Sequence, residues 1–151
     1  GSLERYIYML FDTAAQREAA GLTPTLPFWI SPIQIRIIPV SKTHLDYALK
    51  IYEKISGLGF RVDVDDRDES LAKKIRDAGI EWVYFVVVVG DREMATNTIN
   101  VRDRESGVQR TYMIEEFIEI LNKLQKDYPK ADLGMPHLLS KRPSLPYLRS
   151  I

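Results

Sequence analysis

Three short stretches hold most of the groups that could do chemistry in this chain. "PVSKT" carries Ser41, Lys42 and Thr43; "DDRDES" carries Asp66, Arg67, Asp68 and Glu69; "GDREMATN" carries Asp91, Arg92, Glu93 and Asn97. Each follows an apolar run, and each mixes hydrogen-bond donors with acceptors. That chemistry suits reading the edges of unpaired nucleobases, which splayed bases expose. The same composition also suits a merely soluble rim. The run "DVDDRDES" suggests a cation site, but its acids interleave with Arg61, Arg67 and Lys73. A salt-bridged loop at the end of a strand is the stronger reading.

Catalytic signatures do not stand beside these stretches. "GLGF" lacks the downstream lysine and the strand-to-helix position of a phosphate loop. His44 and His137 lie far apart, with no cysteine and no HExxH, so no metal is expected. There is no Gly-x-Ser-x-Gly elbow. The rivals for this body are therefore a nucleic-acid-binding module, a small-ligand domain of flavodoxin-like shape, and a protein-interaction or dimerisation module. A phosphate loop after the first strand would favour the second, and "PVSKTH" stands there instead.

The three stretches need elements to position them. Ile33, Ile35 and Ile37 alternate with Gln34 and Arg36, which predicts a strand with its isoleucines in the core and Pro32 at its entry. Gln34 and Arg36 are then expected on the other side of the sheet. "SKTHLDYALKIYEKISGLG" reads as a helix capped by Ser41 or Thr43 and ended by Gly57 and Gly59. "FRVDVD" is a second strand and "ESLAKKIRDAG" a second helix terminated at Gly79. "WVYFVVVV" is a third strand, its unbroken apolar run calling for cover on both faces. Two strands joined through Ser106-Gly107 follow, then a third helix carrying Ile114, Phe117, Ile118, Leu121 and Leu124 up to Pro129.

This order implies an α/β fold of three layers, α/β/α. Two right-handed βαβ units give a parallel core extended by a hairpin. The five-stranded mixed sheet has order 2-1-3-4-5, with strand 4 antiparallel and three helices flanking it. Residues 3–20 read as a separate helical arm ending at Gly21, followed by a stiff linker holding Pro24 and Pro27. The divisions are 1–26 for the arm, 27–128 for the body and 129–151 for a proline-punctuated extension. In doubly wound sheets the three stretches fall beyond the carboxyl ends of the parallel strands, where ligands bind.

Composition narrows the class further. With 151 residues, 45% of them hydrophobic, the chain suffices for one domain with a core plus an arm or tail. Lys+Arg and Asp+Glu both number 21, which excludes coating nucleic acid by bulk charge but not a local recognition face. The end is basic: Lys123, Lys126, Lys130, Lys141, Arg142 and Arg149 stand against Asp127 and Asp132, a solvated tail on composition alone. Absence of cysteine fits a reducing compartment. "GSLER" has no early apolar run of a secretory signal, and Trp82–Val89 is too short to span a bilayer.

"FWISPIQIRIIPVS", "GFRVDVDDRDESLAKKIRDA", "VVVVGDREMATNTINVRDR" and "MIEEFIEIL" together resemble the C-terminal anticodon-binding domain of class IIa aminoacyl-tRNA synthetases. Within that group, Trp-Ile-Ser-Pro followed by Ile-Gln is similar to the threonyl members, and "DLGMPHLLSKRPSLPYL" resembles the extended tails of their archaeal type. The likeness covers roughly Pro27 to Leu124. "GSLERYIYMLFD" resembles the end of motif 3 of the same enzymes' catalytic domain, with Arg5 at the place of the arginine that stacks on ATP.

The resemblance implies a chain cut from a threonine–tRNA ligase inside its catalytic domain, with no catalytic site of its own. The whole enzyme is then expected to be cytoplasmic and homodimeric, to use ATP, magnesium and a catalytic-domain zinc, and to bind no membrane. The partners implied are threonine tRNA and the catalytic domain. Threonine codons begin with A and C, so the anticodon bases to be read are G at the second place and U at the third. By the family's spacing, Asp68, Glu93 and Arg102 match its anticodon contacts. A glutamate can accept from guanine's ring N–H and amino group, and an arginine fork can donate to base oxygens. Asp68 departs from the asparagine of many relatives, and an ionised aspartate accepts without donating. Arg67, Lys73, Lys74, Arg104 and Arg110 are candidate phosphate contacts. Tyr112 is a candidate stacking platform, with Phe85 read as core instead.

Overall fold

The computed structural model describes residues 25–131 and 133–142. The helical arm expected over residues 3–20, and Arg5 within it, lie outside them. Five strands form one sheet: β1 Ile35–Pro39, β2 Val62–Val64, β3 Phe85–Val89, β4 Thr98–Asp103 and β5 Gln109–Met113. Their order is β2-β1-β3-β4-β5. β1 pairs parallel with β2 and β3, and β4 runs antiparallel to β3 and β5. Topology and strand direction are those the sequence predicts.

Two helices cover one face. α1 (Leu45–Ser56) sends in Ala48, Ile51 and Ile55, and the helix over Ile114–Gln125 sends in Phe117 and Leu121. They meet Ile35, Ile37, Val62, Val64, Val87, Val89, Ile99 and Val101 in the larger core. The other face holds a smaller cluster of Ile33, Ile38, Ala78, Val83 and Val86 beneath α2 (Leu71–Ile80). Ile33 thus joins the opposite cluster from Ile35 and Ile37. The strand starts at Ile35, so strict alternation does not extend back to it.

The two polar residues of the first strand region also part company. The Gln34 amide donates to Phe28 O at 3.0 Å and to Gln125 Oε1 at 2.9 Å, and its oxygen accepts from Arg61 N at 2.9 Å. Arg36, fully buried on the α2 side, donates to Asp63 through Nε and Nη2 and pairs with Glu81. Buried polar groups persist where every donor has a partner, and both residues meet that condition.

Some boundaries differ from expectation. α2 runs through Gly79, and the chain reverses at Trp82, which takes φ 58°. Between β3 and β4, where a loop is expected, Asp91–Thr96 form a short helix, α3, making Ile114–Gln125 α4. Glu93 closes the start of α3 by accepting from Gly90 N at 3.0 Å, and Asn97 in the left-handed region ends it. The hairpin turn falls where expected, with Gly107 at φ 70°.

The segment after α4 is not a freely solvated tail over its described part. Val64 N donates to His137 O at 2.8 Å, forming an isolated parallel bridge with Leu138. Leu138 packs against the larger core and Leu133 against the smaller one. His137 stacks on Tyr52 with ring centroids 4.3 Å apart. This strap covers the outer edge of β2, where unpaired backbone groups would otherwise be exposed.

Candidate nucleic-acid interface

Because β1, β2 and β3 are parallel, Val40–His44, Asp65–Ser70 and α3 all emerge at one end of the sheet. β4 begins and β5 ends at that same rim, since Thr98 pairs with Met113. β4 then splits its side chains between two faces. Ile99 and Val101 enter the larger core, which leaves Thr98, Asn100 and Arg102 on the opposite face. Val88 lies across from Asn100 and Val86 across from Arg102, and directly opposed residues share a face. On β5 the partners Gln109, Thr111 and Met113 share it too.

The cluster under α2 draws on β1 and β3 and takes nothing from β4 or β5. The outer half of this face is therefore open and polar. Arg102, Gln109, Thr111 and Met113 are exposed, and Thr98 and Asn100 are partly so. Gln109 Nε2 donates to Asn100 Oδ1 at 2.8 Å, and the Asn100 amide nitrogen and the Gln109 carbonyl have no partner among the described residues. Arg102 lines a shallow cleft of about 220 Å³ with Ile75, Gly79, Val83 and Val86. Among the described residues its guanidinium has no hydrogen bond or ion pair.

The rim above this face is rigidly built. His44 is buried, accepts from Ser41 N at Nδ1 (3.2 Å) and so donates from Nε2 to Asp91 at 2.7 Å. That bond ties the turn after β1 to the first residue of α3. Burial and then the charge of Glu93 push the Tyr47 hydroxyl above its usual range; the hydroxyl donates to Thr98 O at 2.8 Å. Glu93 spends Oε2 on Gly90 N, and Oε1 has no partner among the described residues.

The Asp65–Ser70 loop is held from three directions. Arg67 grips the buried Asp65 through Nε and Nη2, both 2.8 Å, and reaches Asp77 at 3.0 Å. Burial opposes ionisation of Asp65, but the hydrogen bonds and charge of Arg67 outweigh it and hold the carboxyl below its usual range. Asp66 accepts from Ser140 N and Oγ, at 3.0 and 2.6 Å. Glu69 pairs with Lys73 at 3.0 Å, and Ser70 caps α2 by accepting from Lys73 N at 3.3 Å. Asp68, exposed at the tip, is left without a partner among the described residues.

Of the three residues matched by family spacing, Asp68 and Glu93 lie in the segments at the rim and Arg102 on the open face of β4. Asp68 follows β2, Glu93 follows β3, and β2 and β3 flank β1, about 10 Å apart at the usual strand spacing. Arg102 lies on β4 four residues below the rim, about 13 Å along the strand. The five candidate phosphate contacts are scattered. Lys73 is exposed beside Asp68. Arg110 is exposed but opposes Val101, so it points to the α4 side with Tyr112 and Phe117. Lys74 is buried, its Nζ 3.4 Å from Pro39 O. Arg67 is committed to its two aspartates. Arg104 lies over Trp82, 5.2 Å from the ring centroid, and donates to Gly79 O at 2.8 Å. Phe85 is core, in edge contact with Phe117.

Thr98, Asn100, Gln109 and Thr111 were not singled out by motif. The signal was present in "TINVRD", whose strict alternation of polar and apolar residues marks a strand with one open face.

The anticodon binding domain family matches residues 34–124. Threonine–tRNA ligase of Staphylothermus marinus is 54% identical over 143 residues, 95% of this chain and 23% of that protein. The ligase of Pyrococcus furiosus is 48% identical over 143 residues, again 95% of the chain and 23% of the relative. That of Pyrobaculum islandicum is 47% identical, covering 95% and 24%. The chain thus spans about a quarter of the length of these curated relatives. Among solved structures, the RNA binding domain of threonyl-tRNA synthetase from Cryptosporidium parvum aligns with a TM-score of 0.64. At 23% identity over 72% of this chain and 26% of that one, it is a likeness of fold. The chain belongs to the anticodon binding domain family.

Proposed function

We propose that this chain is the C-terminal anticodon-reading domain of an archaeal-type threonine–tRNA ligase, recognising G and U at the second and third anticodon positions. The observation that carries the reading is the distribution of partners along the rim. Asp65, Asp66, Arg67 and Glu69 are all engaged. Among the described residues, Asp68, one oxygen of Glu93 and the Arg102 guanidinium have no partner and remain available. An anticodon laid across them would meet two acceptors at the rim and a planar donor fork on β4. That set suits guanine's N–H edge and the carbonyl oxygens of guanine and uracil. Asn100 and Gln109 add a donor and an acceptor, and Met113 adds an apolar surface for a base plane.

Residues 1–26 are assigned to the end of the catalytic domain, 27–128 to the anticodon-binding body and 129–151 to the C-terminal extension. The parent is a homodimeric, cytoplasmic ligase on this reading, with ATP, magnesium and zinc belonging to its catalytic domain. Among the described residues no cluster of three or more potential metal ligands occurs. Nor is any described helix long and apolar enough to cross a membrane.

The test is a titration at one fixed salt concentration with threonine tRNA transcript and with transcripts altered at the second or third anticodon base. Tighter binding of the unaltered transcript supports the reading. Equal affinities contradict it and favour an interaction module without anticodon specificity.

A further inference from the structure

The open question at the site is what keeps Asp68 in place. It sits at the tip of an exposed loop, and a carboxylate reads a base edge only if its position is fixed before binding. On the α2 side the loop is fixed by Arg67, through Asp65 and Asp77. On the other side the described contact comes from the strap: Ser140 donates twice to Asp66, from N at 3.0 Å and from Oγ at 2.6 Å.

The strap itself has independent anchors. His137 O accepts from Val64 N, Leu138 packs into the larger core, and Arg142 donates to Asp63 Oδ2 at 2.9 Å and to Pro136 O at 2.9 Å. Ser140 lies between Leu138 and Arg142, so its backbone is already placed when it meets Asp66. The short helical turn Leu139–Lys141 presents its N–H and hydroxyl to the same carboxylate.

We infer that Ser140 is a positioning residue for anticodon discrimination: acting through Asp66, it fixes the Asp65–Ser70 loop so that Asp68 meets the base at a set place. This rests on the anticodon-reading function proposed above. It makes the C-terminal segment part of the recognition apparatus although it lies outside the residues matched by the family. Ser140 itself need not touch RNA.

The experiment uses the full chain and an RNA stem-loop carrying either the threonine anticodon or one altered at the third base. Affinities are measured for the unsubstituted chain, Ser140→Ala and Ser140→Thr, with thermal melting of each protein. Ser140→Ala is expected to lower the preference for the threonine anticodon about three- to tenfold, the weight of one hydrogen bond of roughly 1 kcal/mol. Its melting point should stay close to that of the unsubstituted chain, because the other strap anchors remain. Ser140→Thr keeps the hydroxyl and is expected to keep the preference. An unchanged preference in Ser140→Ala overturns the inference, as does an equal fall in Ser140→Thr. If the unsubstituted chain shows no preference, the anticodon-reading function fails first and this inference with it.

Discussion

Arg36 and Asp63 face each other across the parallel pair β1–β2, both fully buried and joined by two hydrogen bonds of 3.0 and 2.9 Å. Asp63 also receives Arg142 from the strap, and Arg36 reaches Glu81 beyond α2. One ion pair therefore joins two strands, the end of a helix and the C-terminal segment. Burial disfavours the charged arginine, but the bonds and charge of Asp63, then of Glu81, outweigh that and raise its pKa.

Removing Arg36 leaves the fully buried Asp63 with only the partly exposed Arg142 against it among the described residues, and Glu81 without its arginine. Arg36→Met is expected to destabilise the fold by about 3–5 kcal/mol, read from the urea midpoint. The double change Arg36→Met with Asp63→Leu should cost less than the single one, since no charge is then stranded, although Arg142 loses its partner. A single change costing under about 1 kcal/mol would contradict the network's role.

Asp65 gives the fold an acid limit. Its folded carboxyl lies below the ordinary value of about 3.9, so its contribution is fully present above that pH and is lost as pH falls through the depressed folded value. Removing its chief partner with Arg67→Ala strips away most of what lowers this pKa and leaves burial, which raises it, opposed only by the charge of Lys74. The acid unfolding midpoint should then move to higher pH, seen by circular dichroism across the acid range. No movement would mean the pair contributes nothing to acid stability.

Gly90 has an ordinary extended backbone, so its constraint is space. A Cβ there would meet Val40 Cγ2 at 3.2 Å and Glu93 Oε2 at 3.4 Å. Gly90→Ala is expected to cost roughly 1 kcal/mol through crowding and to displace the Glu93 carboxylate. RNA binding should lose anticodon preference more than the melt loses stability. Retained preference would show that Glu93 tolerates displacement.

Activity alone gives another check. On the proposed reading this chain forms no threonyl-adenylate, since one stretch resembling motif 3 is all it carries of a catalytic domain. Threonine-dependent ATP–pyrophosphate exchange by the isolated chain is expected to be absent, and its presence would overturn that reading.

The sheet order was legible because hydrophobic period and the right-handed crossover rule prune the topologies. The alternation of Ile35, Arg36 and Ile37 was legible too, but not the partner of Arg36, because Asp63 lies 27 residues away in a run of acids that look alike in sequence. α3 was hidden because it has six residues and a charged surface, and is closed by a side chain and a left-handed Asn97 rather than by an apolar stripe. The strap has no period because one backbone bridge and a few polar contacts hold it. Of the candidate site, Asp68, Glu93 and Arg102 come from the family's spacing. The open face emerged only when β4 and β5 were seen to extend beyond the cover of α2.

The central claim is that Glu93 and Arg102 read bases while nearby lysine contacts add affinity without specificity. The most direct measurement compares Glu93→Ala, Arg102→Ala and Lys73→Ala for binding to threonine tRNA and to an anticodon-altered tRNA at one salt concentration. Glu93→Ala and Arg102→Ala should each weaken the threonine tRNA by roughly 1–3 kcal/mol and flatten the preference, whereas Lys73→Ala should weaken both tRNAs about equally. Full anticodon preference retained in both Glu93→Ala and Arg102→Ala would contradict the account.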